Sequence, residues 1–406
     1  MNTVINREII AVLIRGLLID VSGRPLTVIT ESRSSDLPNA MKFELKQCES
    51  EASAVIAIRE SYNEWKKNFS VDDGSAVLPS CAALKIDGKN EAVFWIGGNL
   101  DSARKKLADK DDSPFYAASP CQSAENCASE RADVVKNKIT LVTGGAQGIG
   151  EEISRSLASA GALVFIADLN IEGARKTVAK INECEKRCAA IALEVNVANE
   201  ESVASMFNAI VQTAGGLDLC ISNAGVLKAG SVLEQELSDF KFVTDINYTA
   251  FFTICKYAGR LLRTQNLTAR NWKTDIIQVN SKSGLEGSNK NAAYSGGKFG
   301  SIGLVESFAM ELIEYGIKVN AVCPGNFLDG PLWSDPERGL FVQYLKTGKV
   351  PGAKTTADVR AFYESKVPMK RGCTGKDLVR AIYYLVEQEY ETGQAIPVTG
   401  GQIMLH

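Results

Sequence analysis

The chain has 406 residues, a formal net charge of −3 and 45% hydrophobic residues, the balance of an ordinary globular protein with room for two or three domains and a full core. A charge so near zero offers no bulk attraction to nucleic acid or to a membrane surface. Its only histidine is His406, the last residue, which leaves no place for a histidine general base, a Ser-His-Asp triad or histidine-based metal catalysis.

The first apolar stretch, Ile9 to Val21, is interrupted by Arg15 and Asp20. It is too short and too charged to span a bilayer and has neither a basic leader nor a cleavage site, so a strand or helix of a cytoplasmic protein is expected. Residues 1–112 read as a small α+β unit. Ile9 to Ile19 and Leu26 to Ile29 flank a turn at Ser22-Gly23-Arg24-Pro25, and Glu44 to Lys67 reads as a helix. Ala82 to Ile86 and Ala92 to Ile96 flank a hairpin-like Asp87-Gly88-Lys89-Asn90. No phosphate loop, metal cluster or nucleophile pattern occurs there, so a packing or oligomerisation role is expected. From Lys105 to Asn137 the composition shifts to Ser, Ala, Asp and Lys, with Pro114 and Pro120, which predicts a linker over 113–136. The closest cysteine pairs, Cys121/Cys127 and Cys184/Cys188, lack the further ligands of a zinc site. Free thiols in a reducing compartment and no metal are the expectation.

Residues 137–406 change character. Lys138 to Asp168 runs strand (Ile139 to Val142), glycine-rich turn (Gly144, Gly148, Gly150), amphipathic helix (Ile153, Leu157 and Ala160 on one face) and strand (Ala162 to Ala167). That is a βαβ unit whose helix N-terminus presents free N–H groups to a pyrophosphate, with glycines permitting close approach. Asp168 ends the second strand, about twenty residues past the turn, where a carboxylate accepts hydrogen bonds from both hydroxyls of an adenosine ribose. It would repel a 2′-phosphate, and no Lys or Arg lies in Gly145, Ala146 and Gln147 or directly after Asp168. The cofactor read from this pattern is NAD rather than NADP. Further strands are predicted at Ala189 to Val195, Leu217 to Ser222, Thr274 to Asn280, Lys318 to Val322 and Ala395 to Val398. Helices are predicted near Glu172 to Glu183, Glu201 to Thr213, Leu237 to Leu262, Ala293 to Tyr315 and Gly375 to Glu389. The alternation predicts an α/β fold of Rossmann type, a doubly wound parallel sheet covered on both faces.

In Tyr294-Ser295-Gly296-Gly297-Lys298 a tyrosine and a lysine stand four apart at the start of a helical run, on one face. A phenol titrates near 10 unaided. A nearby ammonium and the positive nicotinamide of an oxidised cofactor favour the phenolate and make it a usable base. Ser281, thirteen residues upstream at the end of the run Ile276 to Val279, is placed to hydrogen-bond a reacting hydroxyl or carbonyl.

Together TGGAQGIG (143–150), SNAG (222–225), Asn247, Ser281, YSGGK (294–298) and Pro324-Gly325 resemble the short-chain dehydrogenase/reductase family over roughly 138–406. The resemblance implies about seven parallel strands and hydride transfer between NAD and an alcohol or ketone. It implies Tyr294 as acid/base, Lys298 tuning it and binding the nicotinamide ribose, Ser281 orienting the substrate, and Asn247 holding a water that relays protons from Lys298. The cofactor-binding set it implies comprises Gly144, Gln147, Gly148, Ile149, Gly150, Asp168, Asn196, Val197, Asn223, Ala224, Gly225, Tyr294, Lys298, Pro324, Gly325 and Asn326. Asn196 stands where the family usually has Asp, and Asn326 follows Pro324-Gly325 in place of the common threonine-bearing turn. The segments 280–300, 325–333, 367–373 and 392–404 are similar to members acting on polyol phosphates, which implies a small-molecule substrate, a polyol or polyol phosphate, oxidised at a secondary alcohol. Lys282, Lys290, Lys370 and Arg371 then supply cations near the carboxyl edge of the sheet for a sugar phosphate. The family commonly associates through the long helices after Asn247 and Tyr294, implying a homotetramer or homodimer. Between Asn326 and Lys366 a long excursion carries Pro331, Trp333, Phe341, Tyr344, Phe362 and Tyr363. A lid of short helices over the substrate is expected there.

Overall fold

The computed structural model describes residues 6–31, 37–45, 50–69, 76–87, 89–117, 131–269 and 271–404. Cys121, Cys127, Gly88, Pro120 and His406 lie outside them, and the cysteines among them, Cys184 and Cys188 included, are free thiols.

The N-terminal unit runs α1 (Arg7–Ser22), β1 (Thr27–Glu31), β2 (Met41–Leu45), α2 (Glu51–Lys66), β3 (Ala76–Leu78), β4 (Cys81–Ile86), β5 (Lys89–Gly97), α3 (Leu100–Asp109) and β6 (Phe115–Ala117). Its main sheet has the order β1-β5-β4-β2, and β6 pairs with β3. The first apolar stretch is a helix, capped by the Asn6 side chain and closed by Gly23 in the left-handed region. It lacks a clear polar face because it is covered all round: Ile10, Leu13, Ile14, Leu17 and Leu18 are all buried. The expected helix from Glu44 begins instead at Ser50, its N-cap. Met41, Phe43 and Leu45 face inward and Lys42 and Glu44 outward, a period of two that makes a strand. The stretch read as linker from Lys105 carries the end of α3, then β6, and a 3₁₀ turn at Arg131–Val135.

The rest of the chain runs β7 (Ile139–Thr143), α4 (Gly148–Ser159), β8 (Leu163–Asp168), α5 (Ile171–Glu185), β9 (Ala190–Glu194), α6 (Glu200–Ala214), β10 (Leu219–Ser222), α7 (Leu237–Thr244), α8 (Ala250–Asn266), β11 (Thr274–Val279), α9 (Ala292–Leu312), β12 (Ile317–Pro324), α10 (Pro331–Ser334), α11 (Leu340–Lys346), α12 (Thr356–Ser365), α13 (Gly375–Glu387) and β13 (Ala395–Val398). The seven-stranded sheet has the order β13-β12-β11-β10-β7-β8-β9, every pairing parallel. Apolar side chains of α6, α8 and α9 cover one face and those of α4, α5 and α13 the other. The strand order reverses between β7 and β10, the switch point at whose carboxyl end such sheets bind ligands. Among the described residues no helix is long and apolar enough to cross a membrane.

The N-terminal unit docks at the opposite, amino edge of this sheet. Arg15, fully buried, donates from Nη2 to Asp218 Oδ2 at 2.6 Å, from Nη1 to Gln265 Oε1 at 2.7 Å and from Nε to the Leu26 carbonyl at 2.7 Å. Asp218 Oδ2 also accepts the Ile139 amide at 2.8 Å. The α1 backbone comes close enough to α8 that a Cβ on Gly16 would lie 2.2 Å from the Gln265 carbonyl. Removing one partner of a buried ion pair leaves the other charge uncompensated. Arg15→Ala is therefore expected to cost about 3–5 kcal/mol of stability, read from urea unfolding. Arg15→Met combined with Asp218→Asn, which keeps the acceptor for Ile139, should recover much of it. Equal midpoints for Arg15→Ala and wild type would show that this pair does not hold the two parts together.

Candidate active site

Two hydrogen-bonded junctions build the site at the carboxyl edge. At the first, the Asn223 amide donates to the carbonyls of Thr143 and Gly144 (2.9 and 3.0 Å) while Thr143 Oγ1 accepts from the backbone N–H groups of Asn223 and Ala224. This ties the ends of β7 and β10 across the switch point. A Cβ on Gly150 would sit 2.1 Å from the Gly144 carbonyl, so only glycine lets α4 seat on this turn. The N-cap of α4, Gln147, makes no side-chain cap bond, whereas α5 and α6 are capped by Asn170 and Asn199. The first-turn N–H groups of α4 are thus left for an anion in the cleft.

That cleft, of about 430 Å³, is lined by Gly144, Gln147, Gly148, Ile149, Gly150 and Asp168 at one end, by Asn196 and Val197 beside them, and by Asn223, Ala224 and Gly225 in the middle. Pro324, Gly325 and Asn326 close the far wall with Tyr294 and Lys298. The volume lies in the range of small-molecule and cofactor sites. Asp168 accepts from the Ala146 and Asn170 amides, at 3.0 and 2.9 Å, which shapes the turn and holds its carboxylate at the cleft mouth. Asn326 Nδ2 is buried without a partner, a donor in this wall with its acceptor still to come. These residues fit a dinucleotide: an uncapped helix start for the pyrophosphate, a carboxylate for the ribose and an unpaired amide farther along.

The second junction is at the reacting end. Asn280 Nδ2 donates to the Lys298 carbonyl at 3.0 Å, and Lys298 Nζ donates back to the Val279 carbonyl at 2.9 Å. Asn280 Oδ1 accepts the Ser281 N–H, and Ser281 Oγ accepts from Ser283 N–H at 3.1 Å. β11 and α9 are thereby clasped so that Ser281 stands against the Tyr294 phenol, close enough to favour its ionised form. Lys298 Nζ lies 5.8 Å from the Tyr294 ring centroid. Burial is the largest influence on both groups. It raises the Tyr294 phenol above its ordinary value, against the Ser281 hydroxyl, and lowers the buried Lys298 ammonium to about 8. In the unliganded site desolvation thus outweighs the Ser281 hydroxyl, and the expected acidification of Tyr294 by Lys298 is not among the influences on the phenol.

Asn247 sits in a π-helical turn, Asp245–Thr249, between α7 and α8. Its Nδ2 donates to the carbonyls of Val226 (2.7 Å) and Val243 (3.0 Å), and its Oδ1 accepts from Val226 N–H. Both amide hydrogens are used, so any water held here takes a lone pair of Oδ1 or of the Asn247 carbonyl, which already accepts from Ser301 Oγ.

The excursion after Asn326 forms α10, α11 and α12 around a small aromatic core in which the Trp333 ring lies 4.8 Å from Tyr363 and 5.3 Å from Phe341. Trp333, Leu340, Tyr344 and Tyr363 turn toward the cleft and line it.

The four cations assigned to substrate separate. Lys282 lines the cleft. Lys290 is exposed and outside its lining. Arg371 lies in a different pocket, pairing at 2.6 Å with Asp377 at the start of α13, and exposed Lys370 donates to the Ser365 carbonyl. Lys370 and Arg371 are thus placed outside the cleft lining: Lys370 is spent on the end of α12 and Arg371 on the start of α13. Lys349, which follows α11, enters the cleft in their stead, and Asn280 proves central to the geometry. Neither stands in a recognisable spacing; only the strand-end position of Asn280 pointed to it.

A dinucleotide cleft with a clasped Ser/Tyr/Lys set at the end of a doubly wound sheet defines an oxidoreductase acting on CH–OH groups. The sequence profile described as short chain dehydrogenase matches residues 138–335. Sorbitol-6-phosphate 2-dehydrogenase of Escherichia coli (strain K12) is 33% identical over 271 residues, 66% of this chain and 99% of the relative. A 3-oxoacyl-[acyl-carrier-protein] reductase of Aquifex aeolicus is 29% identical over 66% of this chain and 98% of its own. The crystal structure of sorbitol-6-phosphate 2-dehydrogenase from Erwinia amylovora superposes with a TM-score of 0.60 at 35% identity, over 66% of this chain and 100% of that one. The chain belongs to the short-chain dehydrogenase/reductase family.

Kinetics test the clasped pair. Lys298→Met, which keeps the volume and removes the charge, should move the rising limb of the rate of alcohol oxidation against pH to the alkaline side, because the burial-raised phenol then loses one of the two positive charges that favour its ionised form in the loaded site. Tyr294→Phe should bind NAD and lose about 10²–10⁴-fold in turnover. An unmoved limb in Lys298→Met would remove Lys298 as the group that tunes the base.

Proposed function

We propose that this protein is a cytoplasmic NAD-dependent dehydrogenase that oxidises a secondary alcohol of a polyol or polyol phosphate to a ketone, sorbitol 6-phosphate to fructose 6-phosphate foremost. The observation that carries the reading is one cleft holding Asp168 at one end and Ser281, Tyr294 and Lys298 at the other. The first supports NAD through its charge, since no Lys or Arg directly follows it to receive a 2′-phosphate. The substrate follows from the relatives in Escherichia coli and Erwinia amylovora.

Ser281 Oγ orients the substrate hydroxyl and Tyr294 Oη takes its proton. Bound NAD supplies the hydride acceptor, so that alcohol and NAD⁺ give ketone, NADH and one proton. Lys298 binds the nicotinamide ribose and, as an ammonium, favours the phenolate; Asn247 passes the proton outward through water. Gly148 and Ile149 at the start of α4 would hold the cofactor's pyrophosphate, Asn196 and Val197 its adenine, and Asn326, through its unpartnered amide, its nicotinamide end. The protein works as a homodimer or homotetramer. The support is that Phe252 on α8 and Phe299 and Met310 on α9 are exposed, an apolar face on the two long helices.

The test is NADH absorbance across polyols, their phosphates and a ketoacyl thioester, with NADPH as the second cofactor. Oxidation of sorbitol 6-phosphate with NAD is expected. Turnover confined to reduction of the 3-oxo group of the ketoacyl thioester, the reaction named for the Aquifex relative, would replace the substrate, and a preference for NADP would overturn the role of Asp168. We also propose that α10–α12 close over bound substrate. Limited proteolysis should cut residues 326–366 more slowly with NAD and substrate present, and unchanged cutting would refute closure.

A further inference from the structure

Beyond Tyr294 the cleft wall carries positive charge with little to balance it. Lys282 stands in the 3₁₀ turn directly after Ser281, and Lys349 comes from the far side, just after α11; both line the cleft that holds Tyr294. Lys349 Nζ donates to the Asn289 carbonyl at 3.2 Å and lies 4.0 Å from the Tyr344 ring centroid. Lys366, exposed at the end of α12, lies 4.2 Å over the Phe362 ring. These ammonium groups are near enough to act on one another. Burial first, and then Lys282, Lys290 and Lys366, lower Lys349 to about 8, with no carboxylate opposing them. Lys282 is lowered by burial and by Lys366, and Glu286 is the one acid that opposes this. Half-buried like charges held together repel, and an anion that fits between them converts that repulsion into binding.

The anion is not the cofactor's pyrophosphate, because the free helix start at Gly148 stands in the other part of the cleft, with Asp168. Its neighbours here are Ser281 and Tyr294, the groups that meet the substrate. We propose that Lys282 and Lys349, with Lys366 at the rim, form a subsite for the phosphate monoester of the substrate, bridged from the sheet edge to the α11–α12 segment. This rests on the dehydrogenase reading and adds to it the residues that select a phosphorylated substrate.

The test compares the whole enzyme with Lys282→Gln, Lys349→Gln and the double variant, using Lys370→Gln, whose ammonium is spent on the Ser365 carbonyl, as the control outside the cleft. With saturating NAD, each single change should raise KM for sorbitol 6-phosphate about 10-fold or more, the loss of one charge-assisted hydrogen bond, while kcat falls far less. Inorganic phosphate should inhibit the wild type competitively and the double variant weakly, with Lys370→Gln like wild type. Unchanged KM and unchanged phosphate inhibition in the double variant would overturn the subsite and leave the dehydrogenase standing. Lysine dependence shown by gluconate and not by the phosphate ester would overturn the choice of anion. Should the wild type oxidise no polyol or polyol phosphate, the substrate reading fails separately. Calorimetric binding of inorganic phosphate to the NAD-loaded protein, lost in the double variant, would still support the subsite; binding retained there would refute it.

Discussion

The geometry of the reacting end depends on a reciprocal clasp between β11 and α9. The Asn280 side chain holds the Lys298 carbonyl while the Lys298 ammonium holds the Val279 carbonyl. Each bond draws the end of a strand against the start of a helix, and both partners are buried, where a polar group without a partner costs most. The Tyr294 phenol meets the Ser281 hydroxyl because the backbones on either side are tied. Its position is therefore a property of the sheet edge, and the same edge carries the cofactor turn through Asn223 and Thr143. Catalytic and cofactor geometry are thus two consequences of where parallel strands end.

The opposite edge is closed by the N-terminal unit. Arg15 brings a full charge into the protein's interior and spends it on Asp218, Gln265 and the Leu26 carbonyl. Asp218 precedes β10, the strand at the switch point, and also accepts the amide of Ile139 in β7. The two strands locked above by Asn223 are thereby also joined below. Among the described residues the first third of the chain supports the sheet through this contact and contributes no side chain to the cleft, which is lined from Gly144 onward.

How far the sequence could be read follows the range of the interactions. The βαβ turn, the Tyr-Lys spacing and the strand-end serine are local patterns, and local patterns determine the sheet and its cleft. Residues brought from afar left little trace. Arg15 interrupts an apolar run and looks like a reason to doubt burial, yet its partners lie 203 and 250 positions away. Lys370 and Arg371 look like free cations until the helix start after them claims Arg371 through Asp377. Lys349 has no neighbouring motif and becomes visible only once α11 and α12 fold over the cleft. Met41 to Leu45 misled for another reason: a short alternation beside a long helical pattern is easily absorbed into it.

The electrostatics of the cleft tie these parts together. Desolvation pushes the phenol up and the ammonium down to about 8, so the unliganded site prefers a neutral Tyr294 phenol beside a Lys298 that is still mostly charged near neutral pH. That arrangement cannot take a proton from an alcohol near neutral pH, because its base is too weakly acidic to be ionised. A positive charge arriving beside the phenol reverses the preference, and an oxidised nicotinamide brings one. Under the proposed reading the base would thus be made by the bound cofactor, whose charge would favour the phenolate, and a substrate arriving first would meet a neutral phenol. The lysines at the roof obey the same electrostatics with the sign reversed, since they hold their charge most easily when an anion lies between them.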